Sequence, residues 1–285
     1  MKGLFAMLKG INQWCYPEGT SLEDVFTFSK EAGFDAVELN LYNSDGIGLT
    51  MDTTPREAEA IVDLATSFGS QLRSISTGLL WQSPLSSPNA EVREQGRKVI
   101  LKQIELASAM GIDTVLVVPG SVTPDVSYDD CYNRSQDELK KVLVEAEKRQ
   151  VAIGIENVWN KFLMSPLEMA RYIDELDSDY AKAYFDVGNV LQFGYPEQWI
   201  RILGKRISKV HVKDFSTKVG NITGFVPLLA GDVNWPAVVA ALEEIGYKDT
   251  ITAELSPYAI NPRQLPNDTA RHMDVILASR SKVKN

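Results

Sequence analysis

The chain has 285 residues, with 29 lysines and arginines against 38 aspartates and glutamates, a formal net charge of −9, and only two histidines. That length suits a single α/β barrel, and 44% hydrophobic with 24% charged residues describes an ordinary globular chain with ample core. The acidic balance argues against a protein that grips nucleic acid through phosphate charge, and two histidines exclude a histidine-rich cluster of several zinc ions.

Short β-branched runs alternate with amphipathic stretches along the whole chain. In chain order the pattern predicts a strand near 8–13 with a helix near 21–32, then 35–40 with 55–68, 72–77 with 90–110, and 114–118 with 135–149. It continues as 151–156 with 166–176, 182–187 with 196–204, 208–213 with 235–245, and 250–255 with 262–279. Ser21-Leu-Glu-Asp and Ser135-Gln-Asp-Glu each place a capping serine three residues before an acid, and Gly33, Gly69, Gly111 and Gly246 mark helix ends. Cys15 and Cys131 stand far apart without a C-x-x-C pair, which predicts free thiols in a reducing compartment. The apolar stretch before Lys9 is too short for a secretory leader, and no run approaches the roughly 20 apolar residues of a membrane span. The expected setting is the cytoplasm, with no membrane partner.

Spacings of roughly 25 to 42 residues between strands match one βα unit each. Eight such units predict the α/β class and a (β/α)8 TIM barrel, with residues 1–285 as a single domain. An open doubly wound sheet stays as the alternative, since periodicity does not show closure. The first strand, however, is not followed by a glycine-rich dinucleotide fingerprint.

In a barrel, chemistry sits at the carboxyl ends of the strands. Alternation turns Val151, Ile153 and Ile155 toward the helices and Glu156 toward the axis. By the same parity Tyr184 and Asp186, His211 and Lys213, and Thr250, Thr252 and Glu254 face inward. A lone strand-end carboxylate commonly caps the next helix, and a lone inward histidine is commonly a satisfied core residue. Four inward ionisable groups on adjacent strands are harder to account for that way, because three carboxylates without a cation repel one another. Glu156, Asp186, His211 and Glu254 therefore form a candidate site for one divalent ion (Mn, Co, Zn or Mg), whose oxygen-rich donors favour the harder metals.

The motifs themselves carry a resemblance. Glu156-Asn-Val-Trp-Asn-Lys-Phe-Leu-Met-Ser-Pro, Phe185-Asp-Val-Gly-Asn189, His211-Val-Lys-Asp214 and Ala253-Glu-Leu together resemble the xylose isomerase-like barrel superfamily. Within it the chain is most similar to the sugar phosphate isomerase/epimerase group, which includes pentulose-5-phosphate 3-epimerases and ketose 3-epimerases. Gly33-Phe-Asp-Ala-Val-Glu38, Val92-Arg-Glu-Gln-Gly and Gly231-Asp-Val-Asn-Trp235 extend the likeness over nearly the whole chain.

The resemblance implies that Glu156, Asp186, His211 and Glu254 hold a metal ion that chelates a sugar's carbonyl and adjacent hydroxyl, acidifying the neighbouring C–H toward a cis-enediolate. It further implies that Glu156 and Glu254 are an acid/base pair at carbon 3, in an order that the sugar's configuration decides. Substrate-contacting candidates are Glu38, for which second-strand support is an equal reading, Lys213, and Trp14, Trp81 and Trp159, which follow the first, third and fifth strands. Asn160, Lys161 and Asn189 join them, Asn160 and Lys161 as residues that close over substrate. Asp214 is read as an orienting residue and His272 as structural.

Some free-ketose 3-epimerases carry a histidine after the ligand aspartate, an arginine past the ligand histidine and a further glutamate after the first metal glutamate. Here those stretches read Asp186-Val-Gly-Asn189, His211-Val-Lys-Asp214 and Lys161-Phe-Leu163, closer to the sugar phosphate branch. That branch often has a glycine-rich turn where this chain reads Val226-Pro-Leu-Leu-Ala-Gly231, so the expected partner is a small sugar or a sugar phosphate. A homo-oligomer is left open. Competing functions are an aldose–ketose isomerase, an inosose-type dehydratase and a catalytically silent sugar-binding protein. The superfamily's DNA-cleaving function needs the trinuclear zinc site excluded above.

Overall fold

The computed structural model describes residues 7–279. Residues 1–6 and 280–285, both part of the span assigned above to one domain, lie outside the described residues, as does the start of the N-terminal apolar stretch.

Eight parallel strands form the barrel: Leu8–Asn12 (β1), Ala36–Tyr42 (β2), Gln71–Thr77 (β3), Thr114–Val117 (β4), Ala152–Glu156 (β5), Ala181–Asp186 (β6), Ile207–Val212 (β7) and Thr250–Ala253 (β8). Each pairs with its successor, and β1 pairs with both β2 (Ile11 beside Val37) and β8 (Ile11 beside Ala253). That double pairing closes the sheet, which rules out the doubly wound alternative. Closure depends on small residues inside: a Cβ on Gly10 would lie 2.6 Å from Thr252 Oγ1, and one on Gly154 would lie 3.0 Å from the Tyr184 Cβ. The outward residues of β5, Ile153 and Ile155, are fully buried beneath the helices.

The helices are Leu22–Ala32 (α1), Pro55–Ser67 (α2), Ala90–Ala109 (α3), Tyr128–Arg149 (α4), Pro166–Asp174 (α5), Pro196–Leu203 (α6), Trp235–Glu244 (α7) and Gln264–Ala278 (α8). Ser21 caps α1 by accepting from the Asp24 N–H at 3.1 Å, and Gly33, at φ 92°, ends it. The largest departure from the expected boundaries is in α4, which begins at Tyr128 rather than 135, capped by Ser127 on the Asp130 N–H. Ser127-Tyr-Asp-Asp carries the same cap-plus-acid pattern about two turns upstream. Ser135 is buried mid-helix, donating to the Cys131 carbonyl at 2.6 Å and lying 2.6 Å from the Tyr172 hydroxyl. A serine that satisfies its hydroxyl four residues back fits a helix interior, so the motif alone did not locate the start.

Above the barrel, Asp214–Phe215 pairs antiparallel with Phe225–Val226, making a short flap after β7. Among the described residues, no helix is long and apolar enough to cross a membrane.

Candidate metal centre and active site

Strand register brings the candidate ligands together at one rim. Asp186 pairs directly beside His211, Glu156 beside Tyr184, and the Glu254 N–H donates to the Val212 carbonyl at 3.2 Å. One ligand atom from each of Glu156, Asp186, His211 and Glu254 lies within 4.8 Å of the others. Asp186 and His211 are fully buried, while Glu156 and Glu254 line a cavity of about 610 Å³.

The imidazole is oriented from behind. His211 Nε2 lies 2.6 Å from Glu38 Oε1, and a carboxylate only accepts, so Nε2 carries the proton. Glu38 is fully buried and accepts also from Asn12 Nδ2 at 2.5 Å, from the Ser74 hydroxyl at 2.5 Å and from the Tyr184 hydroxyl. Burial opposes ionisation of Glu38, yet His211 and these hydrogen bonds hold its pKa below the usual glutamate range. The consequence is that Nδ1 is the ring nitrogen left facing the site: buried, without a hydrogen-bond partner, and 3.5 Å from both Glu156 Oε1 and Glu254 Oε2.

Asp186 is positioned by its loop. Its backbone N–H donates to Asn157 Oδ1 at 2.9 Å, the Asn157 amide donates to its carbonyl at 2.8 Å, and its Oδ1 accepts from the Asn189 N–H at 2.7 Å. Asp186 Oδ2 has no hydrogen-bond partner, although the Lys213 ammonium stands 3.1 Å away. Lys213 also donates to Glu254.

Charges in the cluster are unequal. Burial, reinforced by Glu254, lifts the Glu156 pKa to about 7 against the opposing pull of the His211 imidazole 3.5 Å away. Burial also raises Asp186, with Lys213 working against it. Glu254 goes the other way: against burial, Lys213 and His211 hold it far below the usual range. Burial disfavours the charged imidazole and ammonium, but Glu38 and Glu254 raise His211 well above 6.5, and Asp186 and Glu254 keep Lys213 charged. An unpartnered imidazole nitrogen, an aspartate oxygen met by the Lys213 ammonium but without a hydrogen-bond partner, and two converging glutamates fit a single divalent ion with a histidine backed by a carboxylate.

Of the other sequence candidates, Trp14, Trp81, Trp159, Asn189 and Lys213 line the cavity. Three do not. Glu38 is sealed beneath His211, because its parity is inward but its level along the axis is below the rim. Asn160 is buried, donating to the Gly120 carbonyl at 2.7 Å and accepting from the Phe162 N–H, so it holds the loop rather than closing over the site. Lys161, at φ 59°, lines a separate cavity of about 250 Å³. His272 lies in α8 and is not among the residues lining the large cavity.

Sequence reading missed Asn12 and Ser74 as partners of Glu38. Both are buried polar residues within barrel strands, paired with a buried acid that sequence alone does not locate. It also left Asp214 without definite partners. Its buried carboxylate accepts from the N–H groups of Phe215 (2.9 Å), Leu229 (3.0 Å) and Val233 (3.1 Å) and from Trp235 Nε1 (3.0 Å).

Known proteins share this arrangement of chain. An L-ribulose-5-phosphate 3-epimerase of Salmonella paratyphi C (strain RKS4594) is 27% identical over 255 residues, covering 89% of each chain. A solved L-ribulose 3-epimerase superposes with a TM-score of 0.79 at 20% identity, covering 98% of this chain and 100% of the other. D-psicose 3-epimerase from Clostridium cellulolyticum H10, solved with D-tagatose, gives 0.79 at 15% identity over 96% of this chain and 99% of its own, a likeness of fold. The model of the xylose isomerase-like TIM barrel matches residues 26–276, and the chain belongs to that family.

Proposed function

We propose that the protein is a divalent-metal-dependent ketose 3-epimerase acting on a ketose or ketose phosphate. The observation that carries this is the unpartnered Nδ1 of His211, fixed by Glu38 and flanked at 3.5 Å by the carboxylates of Glu156 and Glu254 beside an open cavity. In this reading Glu156, Asp186, His211 and Glu254 hold the ion, and their three carboxylates favour manganese or magnesium over softer metals, with cobalt and zinc as substitutes. A divalent ion supplies Lewis-acid polarisation of a carbonyl and its neighbouring hydroxyl, which acidifies the C–H beside them.

The chain's own groups do the rest. Glu156 ends β5 and Glu254 follows β8, so they reach the cavity from separated strands, as removing a proton from one face and returning it to the other requires. Lys213, charged and bonded to Glu254, sits where it stabilises oxyanion charge. Trp14, Trp81 and Trp159 give the cavity aromatic walls against which sugar C–H faces pack and water is excluded. The 3-epimerases among the relatives support carbon 3 as the reacting centre. Cytoplasmic placement suits the two buried free thiols, Cys15 and Cys131.

The test is NMR in D₂O on a ketose panel with added Mn²⁺. Exchange at carbon 3 with inversion is the expected result, whereas loss of water identifies a dehydratase and conversion to an aldose an isomerase. Glu156→Gln and Glu254→Gln should each lower turnover by at least about a hundredfold. Near-normal epimerisation by either variant would end the acid/base assignment.

A further inference from the structure

The substrate's charge is written into the loops above the barrel. In this fold, phosphate is frequently held by the loops after the seventh and eighth strands together with a helix N-terminus, where free N–H groups converge. In the loop after β7 several of those donors are already used. After β7, the Leu229 and Val233 N–H groups and the Trp235 indole all point at the buried Asp214 carboxylate. In the same loop Ala230 donates to the Pro227 carbonyl and Asp232 to the Phe215 carbonyl. The nest that would cradle an anion contains one supplied by the chain.

Both helix N-termini at this rim are closed as well. In the first turn of α7, the Trp235 N–H is taken by the Val233 carbonyl, Pro236 has no N–H, and Ala237 is capped by Asn234. In the first turn of α8, Gln264 and Leu265 donate to the carbonyls of Asn261 and Pro262, and Pro266 has none to give. Side chains do not make up the difference. Among the described residues that line the cavity, Lys213 is the one cation, and its ammonium already meets Asp186 and Glu254. The remaining wall is largely apolar, with Trp14, Trp81, Phe225 and Tyr258 presenting rings, and the two ligand glutamates would repel an added dianion.

We propose that the site takes a neutral, unphosphorylated sugar, whose end remote from the reacting carbons lies against these aromatic and aliphatic walls. This deepens the epimerase function proposed above and rests on it. It also distinguishes the chain from its L-ribulose-5-phosphate relatives, despite the likeness in sequence.

The test sets each of D- and L-ribulose, D- and L-xylulose, D-fructose and D-tagatose against its own terminal phosphate, using full-length protein with saturating Mn²⁺. Deuterium incorporation at carbon 3 gives kcat/KM for every pair, and inorganic phosphate is added as a competitor. The free sugar of the best pair is expected to lead its phosphate by at least about tenfold, with no competitive inhibition by phosphate. Equal or faster turnover of the phosphate, or competitive inhibition by inorganic phosphate, overturns the neutral-substrate proposal and leaves the epimerase function standing. Absence of exchange with every compound, in protein shown to bind Mn²⁺, overturns the epimerase function and this proposal together.

Discussion

Replacing Glu38 by glutamine removes one charge and keeps the shape of the group behind His211. The new amide oxygen can still face Asn12 and His211, and the amide N–H₂ can face the hydroxyls of Ser74 and Tyr184, which rotate to accept. What is lost is a charge-assisted bond, worth about 1.5–3 kcal/mol against 0.5–1.5 for a neutral one. That difference, together with a weaker hold on the imidazole tautomer, predicts a fall of about 10- to 100-fold in Mn²⁺ affinity. A second effect opposes it: Glu38 also helps to keep His211 protonated, and a protonated imidazole binds no metal. The deficit should therefore be largest near pH 9, where the imidazole is closest to neutral in both proteins, and smaller near pH 7. Competition against a fluorescent chelator measures the affinity at both pH values, with metal-free circular dichroism showing that the variant is folded. A folded Glu38→Gln protein with wild-type Mn²⁺ affinity at both would refute the orienting role.

Metal affinity should itself depend on pH: Glu156 keeps its proton up to about pH 7 and His211 stays protonated well above 6.5, so affinity is expected to fall at least about tenfold per unit below pH 7 and to go on rising above it as the imidazole loses its proton. Calorimetry in buffers of different ionisation enthalpy should detect the released proton, and an affinity that is flat from about pH 6 to 8 would contradict the Glu156 shift. Lys209 is buried at the amino end of the barrel between Asp249 (2.6 Å) and Asp113 (2.9 Å). Lys209→Met should cost about 3 kcal/mol in urea unfolding while leaving kcat of the folded enzyme unchanged. Asp214→Ala strands three backbone donors and an indole, so hydrogen exchange across 225–235 should speed up by about 5- to 100-fold, equivalent to about 1–3 kcal/mol of local stability.

Period-two alternation made the barrel legible because each strand must bury one face under helices, and Ile153 and Ile155 against Glu156 show the rule at its clearest. Alternation says which way a side chain points but nothing about its height along the barrel axis. Glu38 and Glu156 are both inward acids, yet one lies under the imidazole and the other beside the cavity. Height follows from strand stagger, which is fixed only when the sheet closes. The loops were harder still. Asn160 and Lys161 lie close to a site residue in sequence, but Asn160 is spent holding the loop and Lys161, at positive φ, lines a different cavity. Ser135 misled because a local motif has two stable uses, at a helix start and inside one.

The carboxylate of Asp214 makes selectivity and folding a single property of the loop after β7. A lineage drifting toward phosphorylated substrates could not simply add a lysine to the wall, since the backbone donors would still be committed inward. Freeing them means giving up the anchor that shapes the flap and starts α7, so the first step toward the new ligand would weaken the protein before it helped. Charge preference on such a scaffold is entrenched: it resists change by single substitution and is more readily altered by replacing the whole loop from Asp214 to Trp235.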